Sequence, residues 1–316
     1  MLDNGRGPMN EPRYSGIPTF MRTPLATNLE GLDIALVGVP YDGAVEARSG
    51  ARQGPRQIRD MSSMMRAIHL VTRINPYKLC RIADVGDVSF KQIFDVAASH
   101  ADISSFYEKL HKSGIVPLSA GGDHSITLPI MRAIALDHPV GLVHIDAHTD
   151  CCDEEMNSKF SHGTPFRRAI EEGLLEPKRT IQIGIRGASN SDECWEFGPK
   201  HGIRIIYIEE FNKLGVEKVI NEVKRVVGKG PTYVSFDIDS VDPAFAPGTG
   251  TPEIGGLTAI EAQGLIRGLR GLNLVGADVV EVSPPFDLSG NTALIGATIM
   301  YEILCILAEN INSDSQ

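Results

Sequence analysis

Three polar residues at alternate positions, Asp146, His148 and Asp150, directly follow an apolar run in this sequence. The run, VGLVHI, covers residues 140–145 and has the length and composition of a buried β-strand. In extended backbone, residues two apart share a face, so the two carboxylates and the imidazole point the same way. Carboxylate oxygen and imidazole nitrogen are ligands of divalent metal ions. The spacing therefore predicts metal ligands where this strand ends.

Two further motifs offer the same chemistry. Asp237 and Asp239 share a face at the end of the apolar run TYVSFDI (232–238), and His124 follows a pair of strand-ending glycines. Parallel strands bring their carboxyl ends to one edge of a sheet, which is the usual ligand-binding edge. Four carboxylates and two imidazoles there require positive charge between them, and two divalent cations supply it. One Asp-x-Asp pair alone is usually a solvated loop, but three such motifs predict a binuclear site. Oxygen-rich ligands without thiolate favour Mn²⁺, with Ni²⁺, Co²⁺ or Zn²⁺ as alternatives.

The elements that position these motifs alternate along the chain. Short apolar runs that predict strands cover 34–39, 115–120, 140–145, 180–185, 203–208, 232–238 and 274–282. Helical patterns cover 93–110 and segments near 55–68, 125–137, 165–173, 215–227, 258–270 and 291–308. This alternation predicts an α/β fold with a parallel sheet between two helical layers. We expect one domain over residues 33–316, preceded by an N-terminal arm (1–32) that lies on the surface or against a neighbouring subunit.

Composition narrows the function classes. Of 316 residues, 30 are Lys or Arg and 40 are Asp or Glu, a net charge of −10 that disfavours a nucleic-acid partner. Neither a secretory leader nor a run approaching about 18 apolar residues is evident, so we expect a cytoplasmic protein without a membrane partner. The cysteines are an odd set without zinc-site spacing, which predicts free thiols and no disulfide. They are Cys80, Cys151, Cys152, Cys194 and Cys305.

Taken together, the motifs GGDHS, HIDAHTD, SHGTPF and SFDIDSVDPAFAPGTGTPEIGGLT resemble the ureohydrolase family of arginases, agmatinases and related guanidino-acid hydrolases. The resemblance starts at GVPYDGAVEARSGARQGPRQIR (38–59) and continues through DVVEVSPPFD (278–287). It implies a three-layer α/β/α fold with an eight-stranded parallel sheet, and a homo-hexamer or homo-trimer. It also implies a binuclear manganese site that hydrolyses a guanidine to urea and an amine. The six residues matching the family's metal ligands are His124, Asp146, His148, Asp150, Asp237 and Asp239.

The same resemblance implies three catalytic roles. Asp150 matches the aspartate that binds metal and passes a proton to the leaving nitrogen. His162, in SHGTPF, matches the histidine that exchanges protons with solvent, a role suited to a near-neutral pKa. Glu281 matches the glutamate that binds the guanidinium by charge-assisted hydrogen bonds. From the residues alone, Glu281 could equally form a structural ion pair, and His144 is expected to pack behind the metal ligands.

The substrate is predicted to lack the α-amino group of arginine. Arginases commonly carry asparagine at the position of Cys152, and the segment 160–177 resembles the branch that acts on agmatine, 3-guanidinopropionate and 4-guanidinobutyrate. Glu46 stands where relatives usually have a small hydroxyl residue. Near the pocket it would disfavour a carboxylate-tailed substrate and favour a cationic or alkylated guanidine; the alternative is that Glu46 is a solvated loop carboxylate without a role in binding. Met156 is a second candidate substrate contact, although methionine also fills apolar gaps.

Three alternatives remain at this point. One is a nickel-dependent hydrolase of an alkylated guanidine or biguanide. Another is a non-catalytic subunit that assists a related active chain in a mixed oligomer, although the complete set of ligands weighs against it. The third is a deacetylase of similar topology with one zinc ion, which two full carboxylate pairs disfavour.

Overall fold

An all-parallel β-sheet forms the centre of the structure, a computed structural model that describes residues 12–314. Within these residues the sheet has eight strands. They are β1 (Ile34–Gly38), β2 (Ile82–Asp87), β3 (Val116–Ala120), β4 (Val140–Ile145), β5 (Leu175–Ile185), β6 (Arg204–Tyr207), β7 (Thr232–Asp237) and β8 (Leu274–Val280). The α-helices are α1 (Gly54–Ser62), α2 (Pro76–Leu79), α3 (Val96–Lys112), α4 (Thr127–Ile134), α5 (Pro165–Glu171), α6 (Glu193–His201), α7 (Ile208–Val227), α8 (Ala259–Gly268) and α9 (Asn291–Asp314).

The strand order, β2-β1-β3-β8-β7-β4-β5-β6, brings together four strands that are distant in sequence. In the middle of the sheet Ala120 of β3 pairs with Val279 of β8, which pairs with Phe236 of β7, which pairs with Ile145 of β4. These four residues therefore lie abreast. The segments that follow them, which include every predicted metal ligand, emerge side by side at the carboxyl edge of the sheet.

Helices cover both faces of the sheet because both faces are apolar. In β1, Ile34 and Leu36 belong to the buried cluster that includes α1, α7, α8 and α9, whereas Ala35 and Val37 belong to the cluster that includes α3, α4, α5 and α6. Neighbouring residues of a strand point to opposite faces, so a fully apolar strand requires a helical layer on each side. The predicted three-layer α/β/α architecture is confirmed.

Some element boundaries and several short elements differ from the sequence expectation. All seven predicted strands form, but the edge strand β2 and the helices α2 and α6 had no recognised pattern. Helix α7 begins at Ile208, before the predicted start at 215, and is interrupted at Gly215, whose φ is 73°. Glycine tolerates this left-handed conformation, which breaks the helical periodicity of the segment.

Helix α9 is long and apolar because it is a core helix. Its segment Asn291–Ser313 has a mean hydropathy of 1.6, which by length and composition would suffice to cross a membrane, but 78% of the apolar window is buried inside the protein. The helix packs against α1, α8 and β8. Its buried Glu302 accepts hydrogen bonds from Arg267 and pairs with His69 at 2.9 Å. Burial against the sheet therefore accounts for the apolar composition.

The described part of the N-terminal segment packs on its own chain. Phe20 and Met21 are buried in the cluster below β1, and the backbone N–H of Phe20 donates to Asp84 Oδ2 at 2.9 Å. The Arg59 guanidinium stacks over the Phe20 ring at 4.1 Å and also binds Asp84. Residues 12–32 thus line the edge of the sheet at β2. The first eleven residues of the predicted arm lie outside the described residues.

Candidate metal centre

His124 lies among three carboxylates at the carboxyl edge of the sheet. Its Nδ1 is 3.1 Å from Asp146 Oδ2, 2.8 Å from Asp150 Oδ2 and 3.1 Å from Asp237 Oδ2. These residues follow β3, β4 and β7, and all are nearly or fully buried. The sheet therefore brings together one imidazole and three carboxylates from three separate motifs.

A second group shares Asp146 with the first. His148 Nδ1 is 3.0 Å from Asp239 Oδ2 and 3.6 Å from Asp146 Oδ1. One ligand-type atom from each of His124, His144, Asp146 and Asp150 lies within 4.8 Å of the others, and the same holds for Asp146, His148 and Asp239. Asp237 joins the first group through its contact with His124. All six predicted metal ligands thus fall into two adjacent groups with Asp146 between them.

The geometry of the first group fits a metal ion better than a hydrogen bond. Nδ1 of His124 is buried and makes no hydrogen bond of acceptable geometry, although three carboxylate oxygens surround it. Two ligands bonded to one ion at about 2.1 Å and at right angles lie about 3 Å apart. The measured separations match that spacing. The cluster therefore fits a binuclear metal site with oxygen and imidazole ligands.

The electrostatics of the cluster show how strongly it favours cations. Burial lowers the pKa of His124, but the surrounding carboxylates outweigh burial and raise that pKa well above its usual value. Burial, then Asp239 and Asp146, raises the pKa of Asp237 well above its usual value. Burial opposes ionisation of Asp146, yet His144 and His124 hold its pKa well below the usual range. The cluster holds protons and imidazolium charge where divalent cations can replace them.

A chain of hydrogen bonds fixes the orientation of His124. The Ser235 hydroxyl donates to Asp278 Oδ1 at 2.6 Å, so its oxygen accepts from Nε2–H of His124 at 2.8 Å. Asp278 also accepts from the hydroxyls of Tyr233 and Thr127. Because Nε2–H is donated to Ser235, Nδ1 is the ring nitrogen that faces the carboxylates, where a divalent cation can replace its proton. Such outer contacts orient metal-binding histidines and strengthen metal affinity.

His144 supports the next ligand in the same way. Gln182 donates its side-chain amide to His144 Nδ1 at 3.0 Å, and His144 Nε2 lies 2.6 Å from Asp146 Oδ2. His144 therefore donates to Asp146 from the strand interior, and its prediction as a residue packed behind the ligands is confirmed.

Close backbone packing positions the turn that carries His124. A Cβ at Gly122 would overlap the carbonyl oxygen of Tyr41, and this oxygen accepts from the backbone N–H of Asp123 at 2.8 Å. The backbone N–H of Glu281 donates to the carbonyl of Gly122 at 2.9 Å, and Glu281 Oε1 accepts from the backbone N–H of His124 at 2.8 Å. The turn after β3 is thus held on both sides.

A cavity of about 280 Å³ opens above the ligands. Asp150, His148, Asp237 and Asp239 line its floor, and His162 lines its wall. Asp150 has a φ of 50°, a left-handed conformation that aspartate tolerates better than most residues. Ligand atoms and a solvent-facing histidine therefore share one open space.

His162 lies between two carboxylates. Its Nε2 is 2.7 Å from Glu46 Oε2 and its Nδ1 is 3.4 Å from Glu281 Oε1. Burial lowers the pKa of His162, but Glu281 and Glu46 outweigh burial and raise it well above its usual value. The hydrogen bond from His162 lowers the pKa of Glu46 to about 2. His162 is thus held as a cation beside the cavity.

Glu281 and Met156, the two other predicted substrate contacts, lie outside the cavity wall. Glu281 is 2% exposed and lies behind His162, with a left-handed φ of 63°. Met156 is 81% exposed at the tip of a tight turn in which the backbone of Glu155 and Ser158 exchange hydrogen bonds. Neither residue is among those that line the cavity. Their predicted substrate contacts stay predictions.

The expectation that every cysteine is a free thiol is wrong. Cys152 and Cys194 form a disulfide that joins the loop after Asp150 to the start of α6. The two positions are 42 residues apart and lack a spacing signal, and tertiary folding brings them together. Cys80, Cys151 and Cys305 are free and buried.

Several residues that build the site were missed by sequence reasoning. Ser235 had a readable signal, because it precedes Asp237 by two positions and so shares its face of β7. Asp278 had no such signal, because a single aspartate within an apolar strand does not indicate by itself which side chains it binds. Arg186 lines the cavity but donates all its guanidinium hydrogen bonds to backbone carbonyls, the acceptors being Gly184, Asp239, Ser240 and Glu253.

Comparison with known proteins agrees with this geometry. The model of the arginase family matches residues 32–305. A guanidinopropionase of Pseudomonas aeruginosa is 58% identical over 300 residues, which are 95% of this chain and 94% of that protein. A mitochondrial agmatinase of Gallus gallus is 49% identical over 93% of this chain and 87% of its own. The solved structure of proclavaminate amidino hydrolase from Streptomyces clavuligerus superposes with a TM-score of 0.92 at 40% identity, covering 95% of this chain and all of that one. The chain therefore belongs to the arginase family and is a ureohydrolase.

Proposed function

We propose that the protein hydrolyses a guanidine that lacks an α-amino group, yielding urea and an amine, with two divalent ions held by the six clustered ligands. The observation that carries the proposal is the position of His124 Nδ1, unbonded and within 3.1 Å of three carboxylates, next to the His148–Asp239 pair. The cavity above these groups leaves room for a small substrate.

The chemistry requires a strong nucleophile, because resonance spreads the guanidinium charge over three nitrogens and leaves the carbon a poor electrophile. Activation of water at neutral pH is what a pair of divalent ions supplies when bound. The chain supplies position: Asp150, at the cavity floor, faces both the ligand cluster and the space where the guanidinium carbon must lie.

Proton transfer is assigned to two side chains. Water adds to the guanidinium carbon and gives up one proton to Asp150, which passes it to the leaving nitrogen as the carbon–nitrogen bond breaks. The second water proton leaves the oxygen as the carbonyl of urea forms, and the released amine takes up a proton from His162 or solvent. The products are urea and a protonated amine, so charge and atoms balance. His162, charged and lining the cavity, exchanges protons between the site and solvent. Glu281 stays the proposed guanidinium-binding carboxylate, although it contacts His162 at 3.4 Å and is not among the residues that line the cavity.

The disulfide supports the choice of substrate. Cys152 occupies the position expected to recognise an α-amino acid, and as a disulfide its sulfur has no proton to donate to a carboxylate. The relatives named guanidinopropionase and agmatinase also support a substrate without an α-amino group, such as 3-guanidinopropionate, 4-guanidinobutyrate or agmatine.

Further parts of the proposal concern the metal, the assembly and the location. Oxygen-rich ligands support Mn²⁺ first and Ni²⁺ second. We extend the proposal to a cytoplasmic homo-hexamer or homo-trimer, which light scattering of the purified protein would measure. A requirement for a second related chain would appear as activity only after mixing.

The test is a urea-release screen over arginine, agmatine, 3-guanidinopropionate, 4-guanidinobutyrate and alkylguanidines, with Mn²⁺ and with Ni²⁺. We expect two metal ions per chain and one preferred guanidine, with arginine among the poorest. His148→Ala should lower both metal content and urea release, whereas the exposed His138→Ala should change neither. Fully metal-loaded protein that releases no urea from any guanidine, alone or mixed with a related chain, would contradict the proposal.

A further inference from the structure

Two acidic side chains meet at the wall of the cavity, outside the metal ligands. Glu46 and Glu155 both line the cavity, and one oxygen of each lies within 4.8 Å of a His162 nitrogen. With Glu281 on the other side of the ring, three carboxylates surround one imidazolium. This part of the wall therefore keeps negative charge after His162 is counted.

The position of Glu46 is built by the fold. The loop after β1 that carries it is held by two backbone contacts: the N–H of Ala44 donates to Asp123 Oδ2 at 3.0 Å, and the N–H of His162 donates to the carbonyl of Ala44 at 3.1 Å. Its side chain is 39% exposed and lies at the cavity. A carboxylate at this place is a fixed feature of the substrate path.

Glu155 is held equally firmly, and one of its carboxylate oxygens makes no hydrogen bond to the described residues. Its backbone N–H donates to the carbonyl of Ser158 at 2.9 Å in a tight turn, and its carboxylate lies against Gly163, where a Cβ would overlap it. The buried Oε2 of Glu155 has no hydrogen-bond partner among the described residues. A buried, unpartnered carboxylate oxygen is stabilised by a cation or a hydrogen-bond donor.

No cation of the cavity wall is free to pair with a negative substrate. Among the described lining residues Arg186 is the one arginine, and there is no lysine. Arg186 is 8% exposed, and its five donors are spent on backbone carbonyls. A substrate carboxylate entering here would meet Glu46 and Glu155, while His162 is already paired with Glu46 and Glu281 and no lysine is among the described lining residues.

We propose that Glu46 and Glu155 are specificity-determining residues that favour a guanidine with a cationic or uncharged substituent over one with a carboxylate. This inference rests on the proposed function, since it names the substrate class of the same site. It differs from what the guanidinopropionase relative alone would suggest, because that name describes a carboxylate-tailed substrate.

The test uses three guanidines of similar length that differ in the charge of the tail. The tail is cationic in agmatine, uncharged in n-butylguanidine and anionic in 4-guanidinobutyrate. Steady-state kcat/KM and equilibrium binding by calorimetry are measured on the metal-loaded protein. We expect kcat/KM and binding affinity to be higher for agmatine and n-butylguanidine than for 4-guanidinobutyrate. Glu46→Gln and Glu155→Gln should each reduce the agmatine to 4-guanidinobutyrate ratio by about two- to fivefold, as expected for a half-exposed charge pair.

The ratio isolates specificity from catalysis. Glu46→Gln also alters His162, but that change affects turnover of all three substrates alike and cancels in the ratio. Glu108→Gln, on the far α3 surface and paired with Lys112, serves as the control and should leave the ratio unchanged.

Failure of this inference differs from failure of the proposed function. Turnover with 4-guanidinobutyrate preferred, or a ratio unchanged in both cavity variants, would overturn the inference and leave the function standing. If no guanidine is hydrolysed but binding follows the expected order and responds to Glu46→Gln, the inference stands and the function falls.

Discussion

Ser235→Ala should weaken metal binding without touching a metal ligand. The serine is buried between His124 Nε2 at 2.8 Å and Asp278 Oδ1 at 2.6 Å. Alanine leaves the buried Nε2–H without an acceptor, at a cost of about 1–3 kcal/mol. It also frees the ring to rotate, so that Nδ1 no longer faces the three carboxylates. Loss of such an outer contact lowers metal affinity about 10- to 100-fold, or about 1.4–2.7 kcal/mol.

The assay is a chelator-competition titration with Mn²⁺, combined with thermal unfolding at several metal concentrations. We expect the Mn²⁺ affinity of Ser235→Ala to fall by that factor, and the stabilisation by metal to shift to correspondingly higher concentrations. Urea release at limiting metal should fall in parallel and recover as metal is added.

Thr127→Val provides the matched control. The Thr127 hydroxyl also donates to Asp278, at 2.8 Å, and makes no bond to the His124 ring. Its backbone N–H donates to the His124 carbonyl, a contact that valine keeps. The variant should lower the free energy of unfolding to a similar degree while leaving metal affinity nearly unchanged. Equal loss of affinity in both variants, or none in a well-folded Ser235→Ala, would refute the idea that the hydroxyl acts by orienting His124.

Three further predictions concern stability. Burial, and to a smaller degree Arg132, lowers the pKa of His100 to about 4. Between pH 6.5 and 4 the unfolded chain binds a proton at this histidine that the folded chain does not. The free energy of unfolding should therefore fall by about 3 kcal/mol as pH drops through that window. Urea unfolding at several pH values checks this, and His100→Gln should lessen the slope. Cys194→Ser should lower the free energy of unfolding of the oxidised protein by up to about 4 kcal/mol for this 42-residue separation. The variant should also lose the destabilisation that dithiothreitol causes in the unsubstituted protein. Equal sensitivity of both proteins to reductant would contradict the prediction. Gly122→Ala should cost about 3 kcal/mol and reduce metal binding, because its methyl group overlaps a backbone carbonyl, whereas Gly198→Ala in α6, with ordinary contacts, should be nearly neutral in the same unfolding and metal assays.

The central strands could be read from the sequence because their environment leaves little freedom. β4 and β7 are buried along their whole length, so most of their residues are β-branched or otherwise apolar. Because these strands are apolar, polar residues at their carboxyl ends are easy to recognise. The alternating carboxylates at the ends of β4 and β7 therefore predicted that these side chains come together in one site. Parallel pairing did the rest, since it aligns the carboxyl ends of the strands.

The edge of the sheet and the short helices were harder to predict. β2, with the sequence IADVGD, is half-exposed over its last residues and includes a glycine, so it lacks a strong apolar run. In α6 a glycine and a proline, Gly198 and Pro199, obscure the helical pattern near its end. Both elements are stabilised by tertiary contacts that local sequence does not encode.

In the candidate site, the ligands were predictable and their supports were not. Ser235 lies 111 residues from His124, and Asp278 a further 43 residues on. The Cys152–Cys194 bond depends on the folded position of α6 in the same way. Contacts between residues with unremarkable local patterns become visible only when strand order and register are known.

The position of β8 also constrains how the protein matures. This strand is the last of the eight in sequence, yet it lies between β3 and β7 and is the only connection between the two halves of the sheet within the described residues. A growing chain at the ribosome holds the halves that carry His124 and Asp146 without the strand that joins them. We therefore expect complete metal loading to follow translation of residue 280.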